Sequence, residues 1–218
     1  MMCATAVSAV FRLRACTADT AMAHVQLCLN GTIMRLFVAI PVDDQIKRRM
    51  LRVCDDIDVR DARVRWCSAE QLHLTLKFIG AVEESLLKPI CDAVQRVAGK
   101  TPALDMEIGE TGCFPAAGPV RVIWIGGSDS SGTLLKVAQE LEDDLAPLGI
   151  EKEKRTFSEH FTIGRVKFDH SHGRLRESAR AASFDVCRQV VRELVLYQST
   201  LCQSGAQYAP VLRAKLQG

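Results

Sequence analysis

The sequence predicts an α+β fold: two pseudo-symmetric lobes whose antiparallel sheets line a central cleft, with helices packed outside. Three observations lead there. Arg35-Leu36-Phe37-Val38-Ala39-Ile40 reads as a buried strand followed by a helix opening near Asp43. Arg121-Val122-Ile123-Trp124-Ile125 reads the same way 86 residues later, with a helix opening near Ser131. The segments His73-Leu74-Thr75-Leu76 and His160-Phe161-Thr162-Ile163 then follow at an offset of 87 residues. Strand, helix, strand, His-x-Thr strand, helix therefore occurs twice, and a repeat of that kind specifies architecture more firmly than any single element.

The elements follow in order. Ile46, Met50, Val53 and Ile57 form one stripe of a helix over 43–57, with Asp43 placed to cap it. A second helix over 83–98 carries Leu86, Ile90, Val94 and Val97, and Pro89 falls early enough to be tolerated or to bend the first turns. A third over 131–148 carries Leu134, Ala138, Leu141 and Leu145, with Gly149 as its stop. Residues 172–183 read as a more polar helix. Strands are expected at 35–41, 63–66, 72–79, 103–108, 119–126, 160–167, 189–201 and 207–216. In the fourth of these, Leu104, Met106 and Ile108 alternate with Asp105, Glu107 and Gly109.

Residues 1–33 read differently, with Asp19 the one acidic residue and Arg12 and Arg14 the only strong bases. Their apolar stretch has no positive segment before it and is too short to span a bilayer. The expectation is a leader, disordered or upstream of a working start at Met34, with residues 34–218 as the functional domain. The nine cysteines are odd in number and contain no C-x-x-C pair, which points to reduced thiols in a cytoplasmic protein. Cys67, near His73 in sequence, reads as a small buried hydrophobe. A formal net charge of +2 is too small for gripping a long nucleic-acid backbone and suits an enzyme that handles one terminus.

The chemistry concentrates in the two His-x-Thr segments. Alternate side chains of a strand share one face, so each segment presents an imidazole beside a hydroxyl while Leu74, Leu76, Phe161 and Ile163 anchor the other face in a core. Two such strands facing one cleft offer two proton-transfer groups and two hydroxyl donors, the equipment for opening a phosphodiester without a metal. Histidine can take or give a proton near neutrality, and Thr75 and Thr162 would donate to non-bridging oxygens as charge builds there. The turn Asp169-His170-Ser171-His172-Gly173 supplies too few ligands for a metal-dependent hydrolase and reads as a polar turn before a helix. No cofactor and no metal are expected.

These motifs, together with Met34-Arg35-Leu36-Phe37-Val38-Ala39-Ile40-Pro41, Val64-Arg65-Trp66, the run QLHLTLKFIG from Gln71 to Gly80, Phe114-Pro115, Val122-Ile123-Trp124 and RTFSEHFTIGRVK from Arg155 to Lys167, carry a resemblance. From about residue 34 to 218 the chain resembles the two-histidine phosphoesterase superfamily, and within it the bacterial RNA 2′,3′-cyclic phosphodiesterases, also called 2′-5′ RNA ligases. The resemblance implies His73 as the acid protonating the leaving 3′ oxygen and His160 as the base activating water, a choice that the near-symmetric motifs leave open. It implies RNA ends or nucleoside 2′,3′-cyclic phosphates as substrates and 2′-5′ ligation as the reverse reaction; a monomer with no membrane attachment is expected. It also supports Arg165 as a substrate contact.

Phe78 and Arg165 each stand five residues after their histidine, and either side chain can stack on a base. Strict alternation would put both on the wrong face, so a bulge or bend is required; core packing is the other reading for Phe78. Lys77 and Arg155 are further candidate phosphate contacts, whereas Lys152 and Lys154 read as a solvated charged face. The competing functions are a silent nucleotide- or RNA-end-binding module and a phosphodiesterase for another cyclic phosphate, such as that of ADP-ribose.

Overall fold

A computed structural model describes residues 32–203 and 205–218, and Ile33–Gly218 forms one compact unit. The expected leader over 1–33 lies almost wholly outside the described residues. Among them, nine strands join in one antiparallel sheet: β1 (Ile33–Pro41), β2 (Ala62–Trp66), β3 (His73–Glu83), β4 (Leu104–Phe114), β5 (Val122–Ser128), β6 (His160–Asp169), β7 (Cys187–Val191), β8 (Glu193–Cys202) and β9 (Gly205–Lys215). Four helices accompany them: α1 (Asp44–Val53), α2 (Leu87–Lys100), α3 (Thr133–Leu145) and α4 (Arg174–Ala181).

The strand order β7-β4-β5-β6-β3-β1-β8-β9, with β2 against β6, divides into two halves that meet at β6 and β3. A single backbone pair, Leu74 with Phe161, joins them. The expected repeat is present in part: β1-α1-β3-α2-β4 is matched by β5-α3-β6-α4-β8, but β2, the strand expected ahead of each histidine strand, has no counterpart between α3 and β6. Each repeat also lends its last strand to the other, since β4 pairs with β5 and β8 pairs with β1. One apolar layer backs both halves. Leu74, Ile90, Ile123, Leu134, Phe161, Ile163 and Leu196 are fully buried, and α2 packs on β8 and β9, α3 on β3, and α4 on β4.

Several local expectations are corrected. Asp43 stands at the start of α1 but makes no side-chain cap; its N–H instead donates to Gln189 Oε1 at 2.9 Å. The third helix begins at Thr133, after a turn in which the Asp129 carboxylate accepts from the Ser131 N–H and hydroxyl and from the Leu134 N–H. The expected strand over 189–201 divides at Arg192, so that β7 joins one half of the sheet and β8 the other. The strand expected to end at 108 continues to Phe114 past a register shift between Gly109 and Thr111.

Both tryptophans lie across glycines on neighbouring strands. Trp124 faces Gly112, and a Cβ there would stand 2.3 Å from the indole; Trp66 faces Gly164, where it would stand 2.7 Å away. Glycine is required at both places because the ring lies flat on the sheet.

Among the described residues, Lys77 is the one charged side chain in the deepest core, 1 % exposed. Its Nζ donates to Glu142 Oε2 on α3 at 2.7 Å and to the Glu151 carbonyl at 2.6 Å. It therefore ties β3 to α3 and does not face the cleft, which corrects its reading as a phosphate contact. Removing one partner of a buried pair leaves the other uncompensated, at a cost of about 3–5 kcal/mol. Lys77→Ala should lower unfolding free energy in urea by that order, and Lys77→Met combined with Glu142→Leu should recover most of the loss. An unchanged urea midpoint with a raised KM would return Lys77 to the substrate.

Candidate active site

The site is built on the seam between the two halves. Leu74 and Phe161 face each other with both side chains in the core. Continuing that antiparallel register by one residue each way sets His73 opposite Thr162 and Thr75 opposite His160. All four side chains then point to the face opposite Leu74 and Phe161, and all four are half-buried. Directly opposed residues on neighbouring strands hold their Cβ atoms about 4.5–5.5 Å apart, so two imidazoles and two hydroxyls share one small area.

Each ring is held by the carbonyl side of its own strand entry. His160 Nδ1 is 2.8 Å from the Ser158 carbonyl oxygen, which can only accept; Nδ1 therefore carries the hydrogen and Nε2 is left for the cleft. His73 hydrogen-bonds the backbone of Gln71, also two residues before it. Gln71 is fixed in turn by a short turn over Ala69–Gln71, in which it and Ser68 bond reciprocally, and its side-chain amide donates to the Ala206 carbonyl at 2.6 Å.

The bulge that Phe78 and Arg165 require is present in both strands at the same step. Opposite β1, Val38 faces Lys77 and Ala39 faces Thr75, so Leu76 is the extra residue. Opposite β5, Ile123 faces Gly164 and Trp124 faces Thr162, so Ile163 is the extra residue. Each bulge lies three residues after its histidine and shifts the phase of the strand. Phe78 emerges beside Phe37, ring centroids 6.2 Å apart, while Phe37 stands 4.8 Å from the His73 ring. Phe78 is thus on the histidine face with 55 % of its surface exposed, and the core-packing reading is corrected. Arg165 is exposed, and its charge acts on both His73 and His160.

Aromatic walls surround the histidines, a feature the sequence reading missed. Phe37 stacks on Tyr197 at 5.3 Å, and Tyr208 meets His73 edge-on at 5.2 Å. On the other side Phe114 meets His160 edge-on at 5.1 Å and approaches Trp124 at 5.4 Å. The chain has only two tyrosines and both stand here, a signal that composition alone could have raised. The Trp124 indole N–H is buried without a protein acceptor. Since Trp124 pairs with Thr162, its side chain belongs to the cleft face.

These walls set the electrostatics. Burial pushes the His73 imidazole down to about 4, with the charges of Arg165 and His160 adding to the effect. Burial, and then Arg165, lowers His160 in the same direction. Both rings are therefore neutral at pH 7 in the free protein. Burial likewise raises the Cys67 thiol, in keeping with an inert side chain.

The remaining candidates lie elsewhere. Arg155 is exposed on the segment leading into β6. The turn over 169–173 is a capping device: Asp169 accepts from the Val120 N–H and from the Ser171 N–H and hydroxyl, and Ser171 Oγ accepts from the Leu175 N–H. Among the described residues, no three His, Cys, Asp or Glu side chains converge as metal ligands.

Comparison with known proteins gives a consistent picture. The family model described as LigT like Phosphoesterase matches residues 40–124, which include His73 and Thr75. The RNA 2′,3′-cyclic phosphodiesterase of Methanocaldococcus jannaschii is 31 % identical over 176 residues, covering 80 % of this chain and 96 % of that protein. The protein of the same name from Archaeoglobus fulgidus is 32 % identical over 176 residues, again 80 % of this chain and 96 % of that one. A crystal structure of E. coli LigT complexed with 3′-AMP shares the fold at a TM-score of 0.71 and 23 % identity, covering 86 % of this chain and all of that one. With these relatives matched over nearly their whole length, and a histidine strand in each half of the sheet, the chain belongs to the LigT-like phosphoesterases of the two-histidine phosphoesterase superfamily.

Proposed function

We propose that this protein opens the 2′,3′-cyclic phosphate of an RNA end, or of a nucleoside, to the 2′-phosphate by paired histidine acid-base catalysis. The observation that carries the reading is the seam itself: two imidazoles and two threonines on one face, with the Nδ1 of His160 committed to a carbonyl and an arginine whose charge acts on both rings. The relatives at 31 and 32 % identity bear the name RNA 2′,3′-cyclic phosphodiesterase.

In the proposed reaction His160 Nε2 takes a proton from water as its oxygen attacks phosphorus. The bond from phosphorus to the 3′ oxygen breaks in line with the attack, and that oxygen receives a proton from His73. The products are a 2′-phosphate and a 3′-hydroxyl, with His160 charged and His73 neutral until solvent exchanges the protons. Thr75 and Thr162 donate to the non-bridging oxygens, and Arg165 balances their charge. Phe78 and Arg165 offer flat faces to the terminal base, and Arg155 remains a candidate for an outer phosphate. With a 5′-hydroxyl in place of water as the nucleophile, the same steps form a 2′-5′ linkage, and their reverse cleaves it.

A neutral pair cannot supply the acid, so the substrate must provide for it. The phosphate anion, placed between the rings, favours the charged imidazole and raises both pKa values; the first proton taken then opposes a second. The aromatic walls lower the local polarity and strengthen that coupling. We further read the active unit as a monomer, because both histidines come from one chain, and the location as cytoplasmic, because the described cysteines are unpaired. Residues 34–218 carry the activity. No described helix is long and apolar enough to cross a membrane.

His73→Ala and His160→Ala should each lower kcat for nucleoside 2′,3′-cyclic phosphates by about 10²–10⁴, in excess chelator, without moving the unfolding midpoint. Full turnover in either variant would remove that histidine from the mechanism, and nucleotide binding by a wild type without turnover would leave the binding-module reading. In an NMR pH titration the free protein should show His73 titrating near 4, and a bound nucleoside 2′-phosphate should move it upward. An unfolded histidine titrates near 6.5, so the native protein loses stability as pH falls from 6.5 towards 4. A His73 titration near 6.5 in the free protein would mean an open, solvated ring.

A further inference from the structure

Beyond Arg165, the cleft face of β2 and β6 continues as a basic ribbon that the reaction at the seam does not use. Arg65 faces Arg165 across the two strands, and Arg63 faces Phe168. In β2 the alternation is unbroken: Arg63 and Arg65 are exposed, while Val64 turns inward. Val64 pairs with Val166, so β6 carries Lys167 as an extra residue, and Phe168 returns to the face of Arg165. Arg63, Arg65, Arg165 and Phe168 therefore share one surface, continuous with His160 and Thr162, with the exposed Lys167 at its bulge.

Several exposed bases elsewhere are paired with acids, as in Arg60 with Asp58, Lys88 with Asp92 and Arg213 with Glu193. None of the ion pairs seen among the described residues involves Arg63, Arg165 or Lys167. The single acid of the two strands, Asp169, is occupied by the Val120 and Ser171 amides. Like charges placed directly opposite on adjacent strands cost up to about 1 kcal/mol, which an anion lying between them would reverse. Arg65 is held in place by the β8–β9 hairpin, whose Gly205 backbone lies so close that a Cβ would overlap the guanidinium.

The far end of the ribbon is aromatic. Phe168 is 44 % exposed, and the His170 ring lies against it at 5.4 Å with a 30° tilt. Bases in a row with an open aromatic platform are what a single strand needs, charge for its phosphates and a flat face for a base.

We propose that this face of β2 and β6 seats the single-stranded RNA immediately 5′ of the reacting end. Arg65, beside Arg165, holds the phosphodiester next to the terminal nucleotide, Arg63 and Lys167 hold the one beyond it, and Phe168 stacks an upstream base. The inference rests on the phosphodiesterase reading and adds to it that an oligonucleotide end is preferred to a free nucleotide.

Two measurements test it. Wild type should have a kcat/KM on the order of tenfold higher for a hexauridylate ending in 2′,3′-cyclic phosphate than for uridine 2′,3′-cyclic phosphate. Arg63→Ala and Phe168→Ala should remove most of that advantage through KM and leave the mononucleotide reaction unchanged. Independently of turnover, fluorescence anisotropy with a labelled hexauridylate bearing a 2′-phosphate should show binding that weakens with salt. Arg63→Ala should reduce the log–log slope by about 0.7, the value for one phosphate contact on a single strand. Equal kcat/KM for the two substrates in wild type, or variants that slow both equally, would overturn the track and leave the phosphodiesterase reading standing. Salt-dependent hexauridylate binding that Arg63→Ala weakens, in a protein that turns over neither substrate, would uphold the track and sink the catalytic reading instead.

Discussion

The organisation of this protein depends on one backbone contact, the pairing of Leu74 with Phe161. Among the described residues it is the one pairing between named strands of the two halves of the sheet. Its side chains are driven into the core, and that burial is what turns the flanking His73, Thr75, His160 and Thr162 outward. Hydrophobic burial thus fixes the facing of the polar groups without any bond between the polar groups themselves. A slip of one residue at this seam would turn the imidazoles into the apolar layer.

The second constraint is the bulge repeated in β3 and β6. Without it the alternation that exposes His73 would bury Phe78, and the one that exposes His160 would bury Arg165. The extra residues, Leu76 and Ile163, are ordinary apolar side chains, so nothing in their identity announces the irregularity. Symmetry ends one step later, where β3 has Lys77 and β6 has Gly164. The lysine is drawn inward by Glu142, while the glycine makes room for Trp66. The same position in the two repeats therefore stabilises the fold by an ion pair in one case and by ring packing in the other.

Much of this was legible in the sequence because it is periodic. The helical stripes, the two buried strands and the two His-x-Thr segments all follow from spacing, and the repeat places the histidines together. What spacing does not carry is tertiary exchange. The apolar run through Val190, Val191, Leu194, Val195 and Leu196 gives no sign that the chain changes sheet halves at Arg192. Lys77 reads as a candidate phosphate contact because its partner stands on a helix far along the chain. Phe37 looks like core, and is buried, yet its ring forms the wall behind His73.

The exchange of β4 and β8 between the repeats has a consequence for biosynthesis. β1 and its neighbour β3 leave the ribosome well before β8, the strand that covers the other edge of β1. Pairings so distant in sequence form late. The pocket around His73, with both tyrosines supplied by the β8–β9 hairpin, is therefore completed only after both histidine strands have been made. A ribosome that stops short would release a nascent chain holding both histidines yet lacking one wall of their chamber.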